Sequence, residues 1–192
     1  MGWQTNTCGY RHNHFWYRQT HGQSCGAACV TMMLNRRAGK HYSDVAVYHA
    51  LGKTIGVGLL AADIVQALNK MKPEPGTGVP RLNVGSFTRN PLATDAILVL
   101  LKKAIPKSPI IAGIMLPRTA EKILTALDVQ KTGGHFILVD RSYTGPDGKT
   151  TFCICDPSGG VYNGISQTDS KGIFYIYKNM RFYFNGNFIR VT

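Results

Sequence analysis

Four residues of this 192-residue chain have types and spacing that could support nucleophilic chemistry: Gln19, Cys25, His135 and Asp156. Cys25 follows a polar loop, Gln19-Thr20-His21-Gly22-Gln23-Ser24, and opens an unbroken helical pattern. Ser24 is the expected N-cap. A thiol in the first turn of a helix meets unpaired amide N–H groups and the positive end of the macrodipole. Both favour thiolate, the reactive form. A Cys in such an apolar setting can equally be a buried structural residue. What distinguishes Cys25 is the company expected around it.

His135 begins an otherwise apolar strand, Gly134-His135-Phe136-Ile137-Leu138-Val139, and Asp156-Pro157-Ser158-Gly159 ends the next one. A hairpin joining two antiparallel strands brings the end of one beside the start of the other. His135 and Asp156 can therefore be neighbours, as a base and its orienting carboxylate must be. Taken singly, His135 reads as a structural histidine and Asp156 as a turn-initiating Asp before Pro. Taken together, Cys25 is the candidate nucleophile, His135 the base and Asp156 the group that fixes the imidazole tautomer. The Gln19 side-chain amide and the Cys25 N–H are the candidate oxyanion donors. Gln23 is a rival for Gln19. Asp140 is a rival for Asp156, but it lies five residues from His135 on the same strand, so the pleat sends it to the opposite face.

These motifs resemble those of papain-like cysteine peptidases. The resemblance rests on Gln19-x5-Cys25-Gly26-x-Ala28-Cys29, on the strand His135-Phe136-Ile137-Leu138-Val139 and on Asp156-Pro157-Ser158-Gly159. The most similar type is the bacteriocin-processing peptidase domain of bacterial peptide exporters, which cuts after a Gly-Gly pair. The resemblance implies roles for Gln19 (oxyanion hole), Cys25 (nucleophile), His135 (base) and Asp156 (orienting carboxylate). It spans residues 17–180, is specific at the Cys and His–Asp motifs, and is loose between them. Ser24 stands where that family commonly has Asp, and the segment 116–133 is longer than usual. Both departures bear on substrate choice more than on chemistry.

The elements that must position these groups are legible as helices first and strands later, an α+β pattern with an antiparallel sheet. Helices are expected from Ser24 to Arg37 with a stop at Gly39, from Ser43 (an N-cap) to Tyr48, from Leu59 to Met71, and from Asn90 or Thr94 to Lys103. Arg81 to Phe87 reads as an edge strand and Pro109 to Leu116 as a buried one. A short helical insertion is expected at Pro117 to Leu127. Strands follow at Gly134–Tyr143, Thr151–Asp156, Ile173–Asn179 and Arg181–Val191, with Asn185-Gly186 as a hairpin signal. No repeat or linker is visible, so residues 1–192 read as one papain-like domain preceded only by an ordered arm, 1–18.

Composition narrows the rest. Hydrophobic residues make up 44% and charged residues 17%, as in a globular protein. No apolar run reaches the roughly 18 residues of a membrane helix, and the N-terminus lacks a signal-peptide pattern, so no membrane association is expected. The net charge of +12 is scattered, without a nucleic-acid-binding motif. An acidic protein partner is the better match to it. Five cysteines fit a reducing compartment rather than a disulfide scaffold. Cys153 and Cys155 are expected on opposite faces of their strand, unable to bridge. Cys8, His12 and His14 lie close together, but no fourth ligand or regular spacing accompanies them, so neither metal nor cofactor is expected.

The expected function is a cysteine endopeptidase acting on a protein, with a Gly-Gly site implied by the resemblance. The sequence contains no transporter and no propeptide. From that, and from its charge, a bacterial effector or toxin domain is expected. It would act in the cytoplasm of a target cell and be neutralised by an acidic immunity protein. Two alternatives use the same residues differently: deamidation, transamidation or acyl transfer by the same triad, and a non-catalytic binding module.

Overall fold

The computed structural model describes residues 2–8, 11–74, 76–78, 81–90, 93–115, 134–163, 167–169, 172–177 and 180–192. The helical insertion expected at Pro117–Leu127 lies outside them.

The first two strands, β1 (Trp3–Thr7) and β2 (Asn13–Tyr17), form a hairpin of their own. Three helices follow: α1 (Cys25–Ala38), α2 (Asp44–Leu51) and α3 (Ala61–Met71). Next come β3 (Val84–Thr88), α4 (Thr94–Ala104), β4 (Ile110–Met115), β5 (His135–Thr144) and β6 (Thr150–Asp156). The chain closes with β7 (Gly160–Asn163), β8 (Gln167–Asp169), β9 (Gly172–Tyr177) and β10 (Met180–Val191). Strands β3 to β10 make one antiparallel sheet of order β7-β6-β5-β4-β10-β9-β8, with β3 added along the far half of β10. The fold is α+β.

Strand alternation divides the apolar residues between the two faces of this sheet. Ile111, Phe136, Leu138, Cys155 and Ile189 face a core built with α1, α2 and α3. Ile110, Ala112, Ile114, Ile137, Val139, Phe152 and Ile154 face a second core covered by Ile97 and Leu101 of α4. Helix α1 is buried on every side from Cys25 to Leu34, because it packs between the sheet, the hairpin and the other two helices. Its small residues permit this. A side chain at Gly26 would press on Leu59 and Ile64, so the glycine lets the start of α3 approach closely. The helix ends at Gly39, which takes the left-handed φ of 63° and returns its N–H to Asn35. Ser43 caps α2 as expected, accepting from the Ala46 N–H at 3.2 Å. Among the described residues no helix is long and apolar enough to cross a membrane.

Two expectations are corrected and a third gains detail. Asn185-Gly186 is not a hairpin. It lies inside β10, where the pairing with β4 shifts register between Phe184 and Phe188. Gly186 adopts φ 85° and Asn185 Oδ1 accepts the Asn187 N–H, so the dipeptide builds a bulge that bends one long strand. Within the arm expected at 1–18, β1 and β2 pair, and Trp16 and Tyr17 enter the core. Cys153 and Cys155 share a face. Strand side chains repeat every two residues, and Phe152 and Ile154 occupy the other side.

Candidate active site

The site assembles where the head of α1 meets the start of β5. Cys25 is the first residue of α1 and is 8% exposed. Its Sγ lies 3.5 Å from the Phe136 backbone nitrogen, which donates to it. Ser24 does not cap the helix with its side chain. Its ψ of 14° is not the extended value of a capping residue, and its hydroxyl instead accepts from Tyr48 Oη at 3.5 Å. The amides of the first turn are thereby left to the thiol.

His135, next to Phe136, stands between its two expected partners. Its Nε2 lies 2.6 Å from Asp156 Oδ1, and its ring is near enough to the Cys25 thiol for each to shift the other's titration. With Nε2 committed to the carboxylate, Nδ1 is the nitrogen left for sulfur. Asp156 is 1% exposed, and Oδ1 accepts two further bonds, from the Ser158 N–H at 2.9 Å and the Ser158 hydroxyl at 2.8 Å. The Asp-Pro-Ser turn thus holds the carboxylate that holds the imidazole.

The electrostatics favour an ion pair. Burial pulls the His135 pKa down, but the bonds to Asp156 and Cys25 outweigh it and raise the value to about 10. Burial pushes the Cys25 thiol up. The hydrogen bond and charge of His135, with the Phe136 and Gly26 amides, overcome this and leave it below an ordinary thiol. Asp156 is likewise held below the usual carboxylate range: burial opposes this, and the His135 bond prevails. All three shifts point the same way, toward a thiolate beside an imidazolium beside a carboxylate, the charge pattern that attack on a carbonyl and protonation of a leaving group require.

Gln19 sits at the same place but with its amide turned away. The Gln19 backbone N–H donates to Pro157 O at 3.0 Å, which docks the loop onto the turn after Asp156. Its side-chain Nε2 donates to His21 O at 2.8 Å and Gly22 O at 3.0 Å, so both amide hydrogens are engaged by the loop. Gln19 Oε1 is buried with no partner among the described residues. Gln23, the rival, is exposed and lies against Gly58. Asp140 binds Arg36 and His14, not His135.

Two positioning residues were not foreseen. Ser158 was legible only as part of the Asp-Pro-Ser-Gly turn. Asp44, fully buried at the start of α2, accepts the Thr20 N–H at 2.8 Å, the Thr20 hydroxyl at 2.8 Å and the Tyr17 hydroxyl at 3.2 Å. It anchors the loop that carries Gln19 to Cys25, and nothing in the local sequence marks it.

No family model matches the sequence, and no curated protein matches it either. Solved structures do. The coordinates superpose on the peptidase domain of Streptococcus ComA, a bi-functional ABC transporter involved in a quorum-sensing pathway. The TM-score is 0.54, with 16% identity, covering 91% of this chain and 95% of that one. The fold is papain-like. In it helix α1, which begins with Cys25, packs on an antiparallel sheet that carries His135 and Asp156. At 16% identity the likeness concerns architecture. Chemistry has to be argued from the side chains.

Proposed function

We propose that this chain is a cysteine endopeptidase with Cys25 as nucleophile. The observation that carries the reading is the continuous contact from the Cys25 thiol through the His135 ring to Asp156, at the head of a helix. The Cys25 thiolate attacks the scissile carbonyl carbon. The His135 imidazolium passes its proton to the departing amine as the C–N bond breaks, leaving a thioester. Water then attacks the thioester with His135 taking its proton, and the product carboxylate leaves as sulfur departs. Asp156 keeps the ring oriented throughout and stabilises its charge. The Cys25 N–H and the Gln19 amide, once swung off the loop carbonyls, receive the oxyanion. One such donor is worth about 3 kcal/mol at the transition state.

The preferred site is a Gly-Gly pair in a protein, and the support for this is the motif resemblance: a narrow cleft admits glycine and rejects side chains. The chain acts as an effector or toxin domain inside a target cell and meets an acidic neutralising partner. The support here is the +12 charge and a groove at α4 and β10 where Arg89, Lys103, Lys107 and Arg190 gather. Expression of wild type and Cys25→Ala in cells, followed by mapping of new protein N-termini, tests the activity. New termini after Gly-Gly with wild type alone are expected. No new termini, or amide-to-acid conversion without scission, would overturn the peptidase reading. A pull-down that recovers no acidic protein would overturn the partner.

A further inference from the structure

The fourth ligand absent from the N-terminal Cys/His cluster is supplied from 145 residues away. The Sγ atoms of Cys8 and Cys153 lie 3.0 Å apart, well outside the roughly 2.05 Å of a disulfide. His12 Nδ1 lies 3.7 Å from Cys153 Sγ. One ligand atom from each of Cys8, His12, His14 and Cys153 falls within 4.8 Å of all the others. Bonds of about 2.0–2.3 Å to a tetrahedral zinc ion place its ligand atoms roughly 3.3–3.8 Å apart. The cluster is therefore of the right size.

The hairpin is shaped to present these groups. Its loop is pinned by the Cys8 N–H to His12 O (2.9 Å) and the Arg11 N–H to Cys8 O (2.8 Å), which brings Cys8 and His12 across from each other. Arg11 accepts a left-handed φ of 59° to make that turn. His14 lies on β2 and His12 immediately precedes that strand, so the two are two residues apart at its start and offer ligand atoms to the same cluster. Strand β6 lies behind them with Cys153.

His14 gives an independent indication. Its Nδ1 lies 2.7 Å from Asp140 Oδ2, and Arg36 grips the same carboxylate with two bonds of 2.9 Å each. With Nδ1 donating to a carboxylate, a neutral imidazole carries its lone pair on Nε2. That atom is buried and has no hydrogen-bond partner among the described residues. A buried acceptor without a donor is costly. A carboxylate behind a histidine is also the usual support of a metal-bound imidazole.

We propose that Cys8, His12, His14 and Cys153 bind one zinc ion, with Asp140 holding His14 from behind. Two thiolates and two imidazoles suit Zn2+ rather than the hard cations, and four protein ligands make a closed, structural site. Binding releases the two thiol protons to water and changes no oxidation state. Cys8, His14 and Cys153 are buried, and half-buried His12 lies at the surface side where an ion enters. The ion staples the hairpin to β6, the strand that ends in Asp156. The same hairpin leads directly into the Gln19 loop. The site thereby fixes the candidate triad's surroundings without touching substrate.

The test uses the full chain carrying Cys25→Ala, so that no reactive thiol competes and no activity is needed. Purified under reducing conditions, it should hold one equivalent of zinc by elemental analysis. Replacement by Co2+ should give the visible bands of tetrahedral cobalt with thiolate charge transfer. His12→Ala, at the half-buried edge, should weaken zinc binding at least tenfold while circular dichroism stays unchanged. Cys153→Ser, which leaves Cys8 as the single thiolate of the site, should cut the cobalt thiolate band to about half or less. Retention of no metal, an octahedral cobalt spectrum, binding indifferent to both substitutions, or a Cys8–Cys153 disulfide in the protein as isolated would each overturn the proposal.

Discussion

The backbone N–H of Phe136 donates to the sulfur of Cys25 at 3.5 Å, a bond between the first residue of a helix and the second residue of a strand 111 positions away. This bond is why the imidazole of His135, one residue earlier, can reach the thiol. The start of β5 is set by its ladder with β4, in which His135 pairs with Ile114 and Phe136 with Gly113. The candidate site therefore depends on sheet register as much as on its own side chains.

The paired pKa shifts fix a pH profile. His135 is raised to about 10, so its stabilising charge is fully present below its ordinary value near 6.5 and is lost as pH rises through about 10. Cys25 is lowered, so its thiolate contributes above the ordinary thiol value and is lost as pH falls through its depressed one. Peptide cleavage should rise with the thiolate, below the pH of an ordinary thiol, and fall as pH approaches 10. Steady-state kcat/KM against pH checks this. An alkaline limb near neutrality would contradict the ion pair.

Asp156→Asn keeps a hydrogen-bonding partner but removes the charge. The alkaline limb should then move down from about 10, and kcat should fall by roughly a hundredfold or more. Ser158→Ala deletes only one of the bonds to Asp156 Oδ1, so its effect should stay within about tenfold and leave the limb in place. Comparing the two profiles separates the carboxylate from its support.

Gln19→Ala separates a catalytic role from a structural one. As an oxyanion donor, Gln19 should cost about 10²–10³ in kcat with KM little changed. As a loop brace alone, its loss would release the bonds to His21 O and Gly22 O, lowering thermal stability and leaving kcat near wild type. Kinetics alongside thermal melts distinguish the two.

Gly134→Ala tests the register argument. A Cβ there would run into the Ile114 carbonyl oxygen and crowd Asn185 Nδ2. The strand start must shift, at a cost of about 1–3 kcal/mol. Cleavage should fall although no catalytic group has changed, and the melting temperature should drop by several degrees.

The sequence carried the helices well, because their signals are local: Ser43 before α2, Gly39 after α1, Pro73 beyond α3. The proximity of Cys25, His135 and Asp156 was legible because each opens or closes an element. Asn185-Gly186 misled because pairing with β4 on one side and β9 and β3 on the other keeps β10 continuous through a local turn signal. Tertiary pairing overrides propensity there. The β1–β2 hairpin was missed because its buried residues include His14 and Cys8 as well as Trp16, which blurs the apolar alternation. Asp44 and Cys153 act on partners far away in the chain, and no spacing encodes such contacts.

The central claim is that charged His135 beside it holds the Cys25 thiol below an ordinary thiol and so enriches its thiolate. Limited alkylation with iodoacetamide under mildly acidic conditions, followed by peptide mapping, reads this directly. The account expects the label on Cys25 alone among the five cysteines, and its loss from the His135→Ala protein. An unlabelled Cys25, or labelling that is indifferent to His135, would contradict it.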